Sequence, residues 1–264
     1  MSDSANDRLS LSGGHNPRLS GEEQDIKSVV DDIFRRQGRD AAARVEDGMA
    51  GGKLIAAKWD KEVAELIAPV RWVPFKRGGD AGLRSLPARR GKSFELPEWI
   101  ESPQVIEALK RENFLFARTI NDTTANTLQR ALIAGMELGE TIQQLKQRIV
   151  TISEEWEEKG RAEMIARTES ARAFGSGQVE AWKQTGIVTA KKWSAAGDSC
   201  PFCAEMDGEV VDLDESYFGA GSNMTVEFEG VPMTMAFEYG AVGYPPLHPN
   251  CRCAIVAELS EYAE

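Results

Sequence analysis

The stretch GIVTAKKWSAAGDSCPFC, residues 186–203, decides how this chain folds. Up to Gly186 the apolar residues recur at helical spacing. From Val188 to Trp193 the sequence reads as a short strand, so the period changes at the glycine. The stretch then ends in Cys200-x2-Cys203, a pair of soft ligands presented by one tight turn. Working outward, the sequence is helical on one side of this point and a small mixed unit on the other. The expected class is α+β: a mainly helical N-terminal two-thirds with a small C-terminal zinc-stabilised α+β lobe.

Upstream, residues 1–19 read as a flexible arm, rich in Ser, Asn, Asp and Gly. Ser20-Gly-Glu-Glu23 fits a capping box. Behind it Ile26, Val29, Val30, Ile33 and Phe34 fall on one helical stripe, which suits internal packing or a docking face. Gly38 is expected to weaken that helix. A second short helix carries Val63, Leu66 and Ile67 and is expected to stop before Pro69. Residues 70–97, with three prolines and four glycines, read as a long loop. Ser102-Pro103 reopens a helix, and a further helix is expected from Asp122 to Leu138, with Gly139 at its end. Thr141-x-x-Gln144 is a second capping box, and a long charged helix is expected from Glu155 to Thr185.

Downstream, Glu209–Leu213 and Cys253–Leu259 read as strands, with a turn at Asp207-Gly208. A hairpin is expected through Thr225–Phe228 and Pro232–Phe237. All four cysteines lie here, as Cys200-x2-Cys203 and Cys251-x-Cys253, with His248 three residues before Cys251. Thiolates and an imidazole in two short clusters suit tetrahedral Zn²⁺. Five donors compete for four positions. Strand geometry sends Cys251 and Cys253 to opposite faces, so the expected ligands are Cys200, Cys203, His248 and Cys251, with Cys253 as the alternative fourth. Disulfides, a redox pair or reduced buried cysteines are the competing readings. No catalytic residue is assigned, because the metal claims His248, and the protein is expected not to be an enzyme.

Charge is distributed unevenly. The chain carries 31 Lys+Arg and 42 Asp+Glu, a formal −11. Residues 204–264 hold twelve acids and one base, which accounts for all of it. The other 203 residues are balanced and include a basic stretch from Arg71 to Lys92. There Arg77, Arg84, Arg89 and Arg90 are candidate contacts for nucleic acid or a partner protein. No apolar run approaches the roughly 18 residues of a membrane span, so no membrane role is expected, and the polar N-terminus lacks a signal-peptide profile.

Ile165-Ala-Arg-Thr-Glu169, Lys192-Trp193, Asp198, Cys200-Pro-x-Cys203, Met206-Asp-Gly208 and Pro245-Pro-x-His-Pro-Asn-Cys-Arg-Cys253 occur in this order. Together they resemble the phage Mu F-like minor head protein family, also called the phage head morphogenesis domain, over residues 120–256. The resemblance implies a minor capsid protein of a tailed phage or prophage. It would sit with the portal protein inside the procapsid, in the host cytoplasm during assembly, and assist head assembly and DNA packaging or delivery. Phage DNA, scaffold and major capsid protein are the further implied partners. A phage-encoded nuclease or toxin on a zinc-stabilised domain, or a zinc-containing DNA-binding protein, is the alternative. The chain then divides into an arm (1–19), a helical region (20–119) and the head morphogenesis domain (120–264), whose zinc lobe covers 187–259. Arg167, Glu169 and Asp198 are expected to form the network that fixes the lobe to the long helix.

Overall fold

Residues 19–46, 58–87, 102–158, 160–237 and 240–259 are described by a computed structural model. They form α1 (Gly21–Glu46), α2 (Lys58–Arg84), α3 (Pro103–Glu137), α4 (Ile142–Glu158) and α5 (Arg161–Thr185). After these come β1 (Val188–Ser194), α6 (Pro201–Glu205), β2 (Val210–Asp212), β3 (Asn223–Phe228), β4 (Val231–Ala236) and β5 (Ala254–Leu259). The switch at Gly186 is real, and the class is a helical body followed by a small α+β lobe. Most of the expected flexible arm, together with Arg89 and Arg90, lies outside the described residues.

Both capping boxes form. The Ser20 hydroxyl accepts the Glu23 N–H at 3.2 Å and Glu23 accepts the Ser20 N–H at 2.7 Å. Thr141 and Gln144 make the same exchange at 3.3 and 2.8 Å. The stripe from Ile26 to Phe34 packs internally, against α2, α4 and α5. Arg161 closes this core from above, its guanidinium 4.4 Å from the Phe34 ring and 4.5 Å from Trp156. Burial there draws it down to about 10.

Several helix boundaries differ from expectation, each for a tertiary reason. Gly38 does not break α1; it is where α1 meets α4, since a Cβ there would stand 2.2 Å from Ser153 Oγ. The second helix does not stop at Pro69 but runs on to Arg84, so the expected loop over 70–97 is helical through that residue. Each interior proline costs roughly 3 kcal/mol. Burial of Ile67, Phe75 and Leu83, at about 2 kcal/mol apiece, offsets that. The cap at Ser102, which accepts the Val105 N–H, and the helix expected from Asp122 belong to one continuous α3. The helix expected over Glu155–Thr185 is two, divided at Gly160, whose φ of +68° is left-handed.

Helices α2 and α5 touch through their backbones. A Cβ on Gly78 would lie 2.0 Å from the Phe174 carbonyl oxygen, and one on Gly177 would lie 1.9 Å from that of Phe75. One turn on, the Trp182 indole N–H donates to Gly82 O at 3.0 Å. Beside this contact the helices bury Arg71, which is fully inaccessible. It donates to Asn113 Oδ1 at 2.7 Å and pairs with Glu112 at 3.4 Å and Glu169 at 3.5 Å. Glu112 also accepts from Ser176 and from Tyr244 of the lobe. A buried charge of this kind persists only when partnered. One arginine therefore ties α2, α3, α5 and the loop before His248 together.

In the lobe, β2-β1-β5 form an antiparallel sheet and β3-β4 a separate hairpin. The hairpin turns through Glu229 and Gly230, with φ of 50° and 77°, as a two-residue primed turn demands. Lys191 of β1 points inward, 1% exposed, and its ammonium donates to the carbonyls of Asp212, Leu213 and Glu215 at 3.0, 2.7 and 2.6 Å. It thereby fastens the end of β2 under the sheet. A third apolar cluster joins Trp193, Phe202, Met206, Met224, Val226, Phe237 and Leu247 to Cys203 and Cys251.

Candidate metal centre

The cysteine pair opens α6, a helix that the sequence reading did not include. Cys200 is its N-cap residue and Pro201 sits at the first helical position. That five-residue helix brings Cys203 round beneath Cys200. The second arm is a turn in which the Cys251 N–H donates to His248 O at 3.1 Å. Asn250 takes a φ of +60° to make it.

The two arms meet at Cys203. His248 Nε2 lies 3.2 Å from both Cys200 Sγ and Cys203 Sγ, and Cys203 Sγ lies 3.7 Å from Cys251 Sγ. Cys200, Cys203 and His248 form one triad of ligand atoms within mutual reach, and Cys203, Cys251 and Cys253 form another. The argument that Cys251 and Cys253 diverge does not hold. Residues 251–253 precede β5 rather than belonging to it, so strand alternation does not act and both sulfurs turn toward Cys203.

The donor set fits a tetrahedral soft-metal site. Bond lengths typical of zinc imply edges of about 3.8 Å between sulfurs and about 3.6 Å between sulfur and nitrogen. The observed separations are close to these. His248 Nδ1 faces its neighbour's carbonyl, Pro249 O, at 2.8 Å. A proton on Nδ1 leaves the Nε2 lone pair aimed at the sulfurs, as ligating histidines require. All four cysteines are free of disulfides.

The thiols also share protons unequally. Hydrogen bonding from Cys203 draws Cys200 down to about 4 against the cost of burial. Cys203 and Cys251 draw Cys253 down to about 2, with help from the Trp193 indole. Cys203, facing Cys200, Cys251 and Cys253, is pushed up. Burial lowers His248, but the Cys200 sulfur outweighs it and the imidazole ends above its ordinary value. A bound metal ion displaces these shared protons, which is how such sites couple to folding.

Arg167, Glu169 and Asp198 each have a different charged partner among the described residues. Arg167 pairs along its own helix with Glu163 at 2.6 Å. Glu169 is buried on the opposite errand, toward Arg71 and Arg172. Asp198 pairs with Arg252 and so links the two arms of the metal site at its rim. The contact from helix to site is made by the residue between them. Thr168 Oγ1 accepts the Asn250 N–H at 3.2 Å while donating to Met164 O at 2.7 Å. The physical reason is reach: a short hydroxyl on the buried face can meet a main-chain N–H in a turn packed against it. Trp193, 1% exposed, packs on the site and meets Tyr217 edge to face at 5.1 Å.

Thr168→Val is expected to loosen the site. It leaves the Asn250 N–H without its acceptor, a loss of about 1–3 kcal/mol. Metal affinity, measured by competition with a chelator, should fall about tenfold, and Thr168→Ser should restore it. Equal affinity in all three proteins rejects this role.

Among the basic candidates, Arg77 is engaged with Glu22 at 2.9 Å, and Arg84 stands exposed at the end of α2. Arg71, counted in the same stretch, is interior. The sequence could not reveal this, because Arg71 is marked only by partners 41 or more residues away. Among the described residues, no helix is long and apolar enough to cross a membrane.

Residues 124–256, half of the 264-residue chain, match the family model described as phage Mu protein F like protein. No curated protein and no solved structure matches the chain.

Proposed function

The chain belongs to the phage Mu protein F-like family, and from that premise we propose that it acts as a minor head protein beside the portal, inside the procapsid. There it assists head assembly and the packaging or delivery of DNA. The observation that carries this reading is that the matched region contains the whole Cys/His cluster and the face of α5 on which it rests.

In this proposal the cluster holds a structural Zn²⁺ through Cys200, Cys203 and His248. Cys251 completes the set, and Cys253 is the alternative. The metal fixes the lobe's two arms to each other, and the role is architectural. His248 supports a non-enzymatic reading, since its Nε2 faces two sulfurs and is not available as a general base. Arg84, with Arg89 and Arg90 beyond the end of α2, supplies the contact to DNA or to an acidic partner surface. The lobe, with its −11 over residues 204–264, faces away from phosphate.

Co-expression with the portal protein of the same phage tests the reading. The chain is expected to co-purify with assembled portal. Failure to bind portal, together with normal DNA-filled heads from a phage lacking this gene, overturns it.

A further inference from the structure

Two exposed surfaces on this protein, one on α3 and one on the lobe, are complementary to each other. The first is the outward face of α3. Phe114 and Leu115 are 47% and 50% exposed, and Arg111 and Arg118 flank them on the same face. The order Arg111, Phe114, Leu115, Arg118 follows helical spacing of i, i+3, i+4 and i+7, which makes one patch about 10 Å long. Phe114 and Leu115 thus form a small contiguous apolar patch bounded by two cations.

The second surface is the tip of the β3–β4 hairpin. Its inner face buries Met224 and Val226, then runs past its own core. The cross-strand pair Phe228 and Val231 is therefore left 45% and 60% exposed. Glu229 stands in the turn between the members of this pair, and Glu227 is exposed at the same tip on the other face of β3. Among the described residues, Arg111, Arg118, Glu227 and Glu229 make no salt bridge, although most other charges on the helical body do.

We propose that the hairpin tip of one molecule docks on the α3 face of a second copy. Phe228 and Val231 cover Phe114 and Leu115, while Glu227 and Glu229 meet Arg111 and Arg118. Charge complementarity selects this pairing. Two tips repel through their acids, and two α3 faces repel through their arginines, so like surfaces do not meet. The contact is heterologous, so it propagates head to tail and closes into a ring or continues as a chain. This goes beyond the portal-associated role and does not depend on it. Four apolar side chains make a small contact, so association is weak, roughly micromolar or weaker, and it falls as salt rises.

Sedimentation velocity over a concentration series tests this with the full chain. Wild-type protein is expected to associate at low salt and to dissociate at high salt. Glu227→Lys/Glu229→Lys and Arg111→Glu/Arg118→Glu should each abolish self-association, with a loss of at least tenfold in affinity. The diagnostic arm is the mixture. Each variant keeps one intact surface and carries one reversed surface that matches the reversed surface of the other, so the mixture is expected to assemble in alternation although neither variant does so alone. Combining all four substitutions in one chain restores assembly. Circular dichroism and metal content keep misfolding distinct from loss of contact. A wild-type protein that stays monomeric throughout the series, assembly unaffected by the charge reversals, or variants that fail to pair when mixed overturns the proposal.

Discussion

Cys203→Ser is expected to purify without metal and with its C-terminal lobe unfolded, while the helical body persists. Cys203 is the sulfur common to both triads, so its removal leaves neither intact. Around the site the lobe has little else to hold it, whereas Val188, Leu213 and Ile255 anchor its sheet to the helical body. Its apolar cluster includes two of the cysteines themselves, and its hairpin belongs to a separate two-stranded sheet. Structural zinc in small domains contributes on the order of 10 kcal/mol of apparent binding free energy, more than a core of this size replaces. Elemental analysis should fall from about one metal ion per chain to none. The near-ultraviolet signal of Trp193 should collapse, and protease should cut within residues 206–247. Cys251→Ser should follow Cys203→Ser, and Cys253→Ser should keep its metal. Undiminished metal content in Cys203→Ser rejects the site altogether.

The second large effect is expected far from any sulfur. Gly177→Ala adds one methyl group, yet that atom lands 1.9 Å from the Phe75 carbonyl oxygen. A side chain can rotate away from an intruder, but the main chain of a packed helix cannot. Either α2 and α5 separate or the carbonyl tilts and loses its hydrogen bond. Overpacking of this kind costs about 3 kcal/mol or more, and the separation also loosens the buried Arg71 cluster. A melting temperature lower by about 10 °C is expected. Gly197→Ala is the control, because nothing lies within 4 Å of the added atom and its backbone is not left-handed. A Gly177→Ala protein that melts with wild type shows that the helices do not approach as described.

These two sites mark the limits of what was legible in the sequence. Capping boxes, the Ile26–Phe34 stripe, the strands and the Cys/His spacing are local signals, and each was readable because cause and effect lie within a few residues. The family resemblance was legible for the same reason, since its motifs are short and ordered. Pro69, Pro74 and the glycines of α2 misled because their local meaning is loop, whereas their actual role is set by α5. Gly78 and Gly177 are 99 residues apart in sequence, and only the fold shows that they face each other. Thr168 was hidden between the more conspicuous Arg167 and Glu169. Cys253 ranks only as the alternative ligand under a rule for strands that does not reach it, because β5 starts one residue later.

The pairing of α2 with α5 also constrains the order in which the chain can mature. Although the body is built of helices, its closest contact is not between neighbours in sequence. As the chain leaves the ribosome, α2 must wait through α3 and α4 before its glycine face meets a partner, and closing so long a segment slows folding. During that interval Phe75 and Leu83 have no cover from α5. When α5 arrives, the residues that follow it directly are β1 and the first metal-binding arm. The body therefore closes once α5 has emerged, and the lobe only when His248 to Leu259 follow; a truncation that removes the lobe after Thr185 should still permit the body to close, whereas one before Ala173 should not.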